Sequence, residues 1–185
     1  MAELTFHPLT PDRWADLERL FGVRGACGGC WCMYWRLTHS TFEAQAGEMN
    51  LFNMKAIVLS GEIPGLFAYD GSDPVGWCAL APRQAYPRLS NSRILKPVDD
   101  QPVWSIVCFF VARQHRRQGV THGLISAALE HARQQGARIV EAYPVIPKAH
   151  NAAPVFIFTG IASAFLKPGF VEVARRSENR PIVRI

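Results

Sequence analysis

The stretch that constrains this chain most is the run Val103 to Val111, with Arg113-Gln114-His115-Arg116-Arg117-Gln118-Gly119-Val120-Thr121 directly behind it. The run shows little polar alternation, the pattern of a strand covered on both faces. Beyond the basic turn, Val120, Leu124, Ile125, Ala128, Leu129 and Ala132 recur at helical spacing, so a helix over Val120 to Gln135 is expected. A buried strand, a basic turn with a glycine and a helix N-terminus together make a device for holding phosphate. The first helical N–H groups have no intrahelical acceptor. The helix dipole adds partial positive charge at the same end. Gly119 lets the backbone approach a ligand where a Cβ would obstruct it. The expected occupant is a diphosphate.

A length of 185 residues suits one domain, expected over 1–185. Hydrophobic residues at 49% and charged residues at 19% place the chain among globular proteins rather than disordered ones. A net charge of +5 would permit a nucleic-acid partner, but only Arg113 to Arg117 and Arg175 to Arg180 cluster. The charge is therefore read as serving an anionic small ligand, with no nucleic acid expected. Met1-Ala2-Glu3-Leu4 has neither a basic nor an apolar leader region, so no signal peptide is expected. No apolar stretch approaches the ~20 residues of a membrane span. The five cysteines are an odd number without secretory context, which points to free thiols in a reducing cytoplasm.

Leu4 to Leu9 alternates as a first strand. Thr10 then caps a helix to about Phe21, with Trp14, Leu17, Leu20 and Phe21 on one face. Gly22 to Gly29 reads as loop, and Ser40 to Ser60 as a second helix ended by Gly61. Gly65 to Tyr69 and Pro74 to Leu80 flank the turn Asp70-Gly71-Ser72-Asp73 as a hairpin. Pro82 to Pro97 reads as loop, and Arg138 to Val145 as a strand. Asn151-Ala152-Ala153-Pro154 opens a last helix to about Leu166, stopped by Lys167-Pro168-Gly169. Phe170 to Ala174 and Pro181 to Ile185 close the chain as an antiparallel pair. The expected fold class is α/β: a mixed sheet of about six or seven strands with about four helices on its two faces.

This order, with Arg116-Arg117-Gln118-Gly119-Val120-Thr121 and the late Gly169-Phe170, resembles the GNAT superfamily of acetyl-CoA-dependent N-acetyltransferases. The family signature is Arg or Gln, two residues, Gly, one residue, then Gly or Ala. Arg116 and Gly119 fit it, and Thr121 departs from the last position. The resemblance implies a splay between two central parallel strands, here Val103 to Val111 and Arg138 to Val145. It implies that pantetheine pairs with backbone near Phe109 and Val111. Amides of Arg117, Gln118, Gly119, Val120, Thr121 and His122 would hold the pyrophosphate, with charge from Arg116 and Arg117. An amide near Phe109 would face the thioester oxygen as it becomes an oxyanion. The implied reaction is direct acetyl transfer from acetyl-CoA to a primary amine of a small molecule or peptide, with no acyl-enzyme and no metal. Many relatives pair through late strands, so a homodimer is compatible with the resemblance.

The same resemblance exposes two departures. Many relatives carry a carboxylate base where this chain has Ser105, and a tyrosine acid where it has Phe165. Three readings stay open: the roles sit elsewhere, water carries the proton, or the protein binds acetyl-CoA without turning it over. Glu141 and Tyr143 are the candidate substitutes, because residues two apart on a strand share a face. Against this stand an exposed Glu141 and a half-buried, packing Tyr143.

Cys27-Gly28-Gly29-Cys30-Trp31-Cys32 offers three thiols, with His39 as a possible fourth ligand. The spacing lacks a second Cys-x-x-Cys pair, so a metal-bearing interaction module is the lesser reading. The alternative is a glycine loop leading into an aromatic strand. By the family resemblance, Trp31, Tyr34 and Trp35 would line the acceptor pocket there, suiting an apolar or aromatic acceptor or a cationic amine. His115 and His122 flank the phosphate turn and read as solvated, and Arg175 to Arg180 reads as a charged hairpin loop, with a contact to an adenosine 3′-phosphate or to substrate as the lesser reading.

Overall fold

Strand and helix patterns from the sequence assemble around one sheet, whose strands are ordered β1-β2-β3-β4-β5-β7-β6. The computed structural model describes residues 3–148 and 152–185. Asn151, expected to open the last helix, and Met1 and Ala2 lie outside the described residues. The strands are β1 (Leu4–Pro8), β2 (Gly65–Asp70), β3 (Asp73–Pro82), β4 (Trp104–Val111), β5 (Val140–Ala142), β6 (Val171–Arg175) and β7 (Pro181–Arg184). The described helices are α1 (Trp14–Phe21), α2 (His39–Ala44), α3 (Glu48–Leu59), α4 (Pro87–Ser90), α5 (Val120–Gln134) and α6 (Ala162–Leu166). All pairings are antiparallel except β4 with β5.

The sheet separates two apolar layers. Phe67, Tyr69, Trp77 and Val107 face α1 and α3, whose Leu17, Phe21, Met54 and Val58 cover them. Leu66, Ala68, Cys78 and Ile106 face α5 and α6, with Leu124, Ala128 and Phe165 across from them. Burial on both sides explains why β2, β3 and β4 read as near-continuous apolar runs. The helical stripe of α5 is buried as its spacing predicts. Leu20, expected on the buried face of α1, is only part-buried. Thr10 does not cap an amide either: its hydroxyl accepts from the Arg13 guanidinium at 2.9 Å.

Several expectations need correction. The stretch Pro82 to Pro97, expected as loop, holds a 3-10 turn at Arg83–Ala85 and the short α4. The helix expected over Ser40 to Ser60 is two helices, broken at Gly47, whose φ is +91°. The break is a tertiary contact, in which the Gly47 amide donates to the Gly29 carbonyl at 2.9 Å. A Cβ on Gly29 would lie 2.3 Å from the Gly47 nitrogen, so the glycine loop and the helix break pack backbone to backbone. The strand expected over Arg138 to Val145 is confined to Val140–Ala142. The last helix is reduced to a 3-10 turn at Pro154–Phe156 and the short α6, separated by Gly160 with φ +87°.

Tyr86 and Tyr143 are fully buried. Burial pushes both phenols upward, and the Glu141 carboxylate adds to this at Tyr143. In the unfolded chain a tyrosine ionises near about 10. A raised folded value means that stability is complete below about pH 10 and is lost as pH climbs past it. The expected loss is roughly 1.4 kcal/mol per pH unit for each phenol. Urea titrations at stepped pH should show the midpoint falling above about pH 10, with phenolate absorbance from these residues appearing only on unfolding.

Candidate functional site

The turn after β4 has the geometry of an anion nest. Arg113–His115 forms a 3-10 turn, Arg117 takes a left-handed φ of +63°, and Gly119 caps α5 with φ +84°. Arg116 before them is extended, at φ −69° and ψ 151°, and left-handed positions such as Arg117 and Gly119 are a feature of anion-binding turns. Among the described residues, the amides of Arg117 to Thr121 meet no acceptor, whereas the His122 and Gly123 amides already bond the Gly119 carbonyl. No neighbouring side chain fills the turn: a Cβ built on Gly119 meets nothing within 4 Å. Arg117, Gln118, Gly119 and His122 are exposed, Thr121 is part-buried, and Val120 is buried.

Packing behind the turn depends on glycines that the sequence pattern did not single out. A Cβ on Gly76 of β3 would lie 2.7 Å from Val120 Cγ1. A Cβ on Gly123 would lie 2.4 Å from Phe6 Cζ. Both let the start of α5 sit close to the sheet, which fixes where its free amides point. The Arg116 side chain folds back, its Nε donating to the Val111 carbonyl at 2.9 Å. His115 Nε2 lies 3.5 Å from Asp70, so it is not a purely solvated residue.

Strand β4 carries a bulge at Val107, because Ala79 pairs with Cys108 while Leu80 pairs with Ile106. Strands β4 and β5 pair at Trp104↔Val140, Ser105↔Glu141 and Ile106↔Ala142, and then part. The chain from Phe158 to Ile161 enters the gap. The Phe109 amide donates to the Phe158 carbonyl at 2.6 Å, and Val145 forms a parallel bridge with Ile161. Both backbone partners expected for pantetheine therefore meet other groups of the chain: the Phe109 amide meets Phe158, and the Val111 carbonyl meets Arg116.

Glu141 and Tyr143 do share a face, but both are 0% exposed. Glu141 bonds Arg83 and Arg184, each at 2.7 Å. The Tyr143 hydroxyl donates to Glu141 and accepts from Arg83, and the Ser105 hydroxyl lies 2.8 Å away. Neither the exposed Glu141 nor the half-buried Tyr143 holds. Every polar atom of the pair is engaged away from solvent, so the geometry gives them the work of joining β4, β5 and β7. Phe165 is also 0% exposed and packs edge-on against Phe109 and Phe170.

The segment after the glycine loop is turns rather than the expected aromatic strand. Trp31 packs into the core beside Phe21. Tyr34 and Trp35 line a cleft of about 550 Å³ together with Arg88, Phe156, Phe158 and Arg180. Phe158 thus joins the two features: its ring packs on Tyr34 and Trp35, and its carbonyl closes the gap at Phe109. The face of Tyr34 is taken by Arg88, 3.8 Å from the ring centroid, so the expected cation–π seat for a substrate amine is filled from within.

The thiols do not converge on a metal position. Cys27 is exposed, while Cys32 is buried and accepts from the Trp77 indole at 3.2 Å. Burial and the neighbouring Cys32 push the Cys30 thiol up to about 12, far from thiolate character. Among the described residues no group of three or more His, Cys, Asp or Glu is placed to hold a metal ion.

Comparison with known proteins adds the family. A comparison with curated protein sequences gave no match. Among solved structures, PaiA N-acetyltransferase from Thermoplasma acidophilum in complex with coenzyme A aligns over 98% of each chain, with a TM-score of 0.53 and 13% identity. A GNAT acetyltransferase from Listeria monocytogenes aligns over 100% of this chain and 95% of its own, with a TM-score of 0.59 and 8% identity. YncA from Salmonella typhimurium, solved with its cofactor acetyl-CoA, aligns over 98% and 92%, with a TM-score of 0.53 and 13% identity. At these identities the likeness is one of fold. The family model for the acetyltransferase (GNAT) family matches residues 31–156, more than half of the sequence, and on that match the chain belongs to the GNAT acetyltransferase family.

Proposed function

We propose that this protein transfers an acetyl group from acetyl-CoA to a primary amine of a small molecule or peptide, by direct attack in a ternary complex. The observation that carries this reading is the open turn at Arg117 to Thr121, with free amides at the start of α5. Those amides and the Arg117 charge would receive the diphosphate. Solved relatives of the same fold hold coenzyme A and acetyl-CoA. Pantetheine would reach Phe109 along β4, where the Phe158 carbonyl now accepts from its amide. Release of that carbonyl would free the amide for the thioester oxygen and open the way to the aromatic cleft.

The amine nitrogen forms the new C–N bond and the C–S bond breaks. The thiolate leaves with the electron pair and takes up a proton; an amine arriving as ammonium has first lost one to solvent. The cleft lining holds His39 and no carboxylate, so the proton leaves through that imidazole or through water. Arg88 and Arg180 line the same cleft, and neighbouring positive charge favours the neutral, nucleophilic form of an amine.

A second reading, a non-catalytic acyl-CoA sensor, is favoured by Ser105 and Phe165, both fully buried where relatives place proton-transfer groups. Calorimetry with acetyl-CoA and a thiol-release assay over a mixed amine panel separate the two. Binding together with amine-dependent thiol release is expected. Binding without release by any amine supports the sensor, and absence of acetyl-CoA binding overturns both.

A further inference from the structure

Four of the buried or part-buried arginines are held by carboxylates or carbonyls of the chain. Arg36 lies 2.7 Å from Glu62, Arg83 the same distance from Glu141, and Arg184 the same distance from both Glu141 and Asp99. Arg176 donates to the carbonyls of Ile94, Lys96 and Pro97. Arg88 and Arg180 differ, and both line the aromatic cleft. The side chain of Arg88 donates once, to the Tyr34 carbonyl at 3.2 Å. That of Arg180 donates once, to Thr159 Oγ1 at 3.2 Å. Neither meets a carboxylate among the described residues, and no Asp or Glu lines the cleft.

A guanidinium presents five N–H donors in a planar fork, so most of the hydrogen-bonding capacity of both side chains is unspent. Both are part-buried, and burial pulls the Arg180 guanidinium below its ordinary value. Charge kept in such a place without a counter-charge is costly unless a ligand supplies one. The rest of the wall sets the polar Thr38, His39, Asn91 and Ser92 beside apolar side chains, among them Phe158, Tyr34 and Phe156, which is 72% exposed. The volume of about 550 Å³ suits a small molecule.

We propose that the acetyl acceptor is a small amine bearing an oxyanion, a carboxylate or a phosphate, held by Arg88 and Arg180 with its apolar body against Tyr34, Phe156 and Phe158. This rests on the acetyl-transfer reading and names its substrate class. Arg88 lies on the Tyr34 ring, 3.8 Å from its centroid, so the guanidinium forks stand beside the aromatic wall and fix the anionic end of the molecule next to it. The anion sits at the guanidinium forks, and the amine is left to face the Phe158 end of the cleft, which leads to Phe109.

The test uses product-side probes on CoA-loaded protein, read by calorimetry. N-acetylphenylalanine, N-acetylmethionine and the phosphate ester of N-acetylethanolamine carry the oxyanion; N-phenethylacetamide is the neutral counterpart of the first. At least one oxyanion probe is expected to bind about 10-fold or more tightly than the neutral amide, as charge-assisted hydrogen bonds require. Arg88→Met and Arg180→Met should each weaken that probe by about 10- to 100-fold. Affinity for CoA, titrated separately, should stay unchanged in both variants, which also reports that they fold. A response from the N-acetyl amino acids alone assigns the source as a carboxylic acid, and from the phosphate ester alone as a phosphate monoester. Failure of every oxyanion probe, equal binding of the neutral amide, or unaltered affinity in both variants overturns the proposal while CoA binding persists. Loss of CoA binding by the wild-type protein overturns the acetyl-transfer reading itself.

Discussion

Replacing Gly119 with aspartate is expected to weaken acetyl-CoA binding by about 100-fold or more while the protein stays folded. Gly119 has φ +84°, and an added Cβ would meet nothing within 4 Å. Aspartate and asparagine tolerate the left-handed region better than other residues, so the backbone cost is about 1 kcal/mol. The carboxylate, however, would stand beside the amides proposed to receive the diphosphate. Two unit charges about 4 Å apart at an effective dielectric near 20 repel by about 4 kcal/mol, and a good part of this falls on the bound state. Gly119→Asn has nearly the same shape without the charge and should lose about 10-fold or less. Calorimetry with acetyl-CoA reads both, with thermal melting as the check on folding. Unchanged affinity in the aspartate variant places the diphosphate elsewhere, and equal losses in the two variants assign the effect to shape.

The second large effect is on stability. Glu141 is 0% exposed and meets Arg83 and Arg184 at 2.7 Å each. Glu141→Gln keeps the shape and removes the negative charge, leaving the nearly buried Arg83 without its counter-ion. Breaking a buried pair from one side typically costs about 3–5 kcal/mol. The Tyr143 hydroxyl also loses its charged acceptor. Urea denaturation should show a loss of that size, with turnover per folded molecule largely kept. Abolished turnover in a protein of unaltered stability would instead return Glu141 to a proton-transfer role.

Much of the frame was legible because its signals are local. The hairpin around Asp70-Gly71-Ser72-Asp73, the buried stripe of α5 and the closing pair β6–β7 all follow from period and turn chemistry. The aromatic wall was legible in part: Tyr34 and Trp35 line the cleft, whereas Trp31 went to the core. Arg88 was not singled out, and Arg180 was read mainly as part of a charged loop, with a phosphate or substrate contact as the lesser reading. Arg88 fell in a stretch read as plain loop and Arg180 in a charged hairpin, and nothing near either in sequence says that both guanidiniums would lack a carboxylate. Glu141 illustrates the opposite error. A charged residue on a strand reads as exposed, and its burial depends on Arg83 and Arg184, which lie far from it in sequence.

The sequence by itself determined the order of elements and the place of the glycine turn, because hydrophobic period and left-handed positions act over a few residues. Tertiary structure alone decided where Glu141 and Tyr143 would go, that Gly29 and Gly47 would meet, and that Phe158 would close on Phe109. These outcomes depend on which distant groups satisfy a buried amide or charge. A buried donor must find an acceptor somewhere in the folded chain, and only the packed structure says which one it finds.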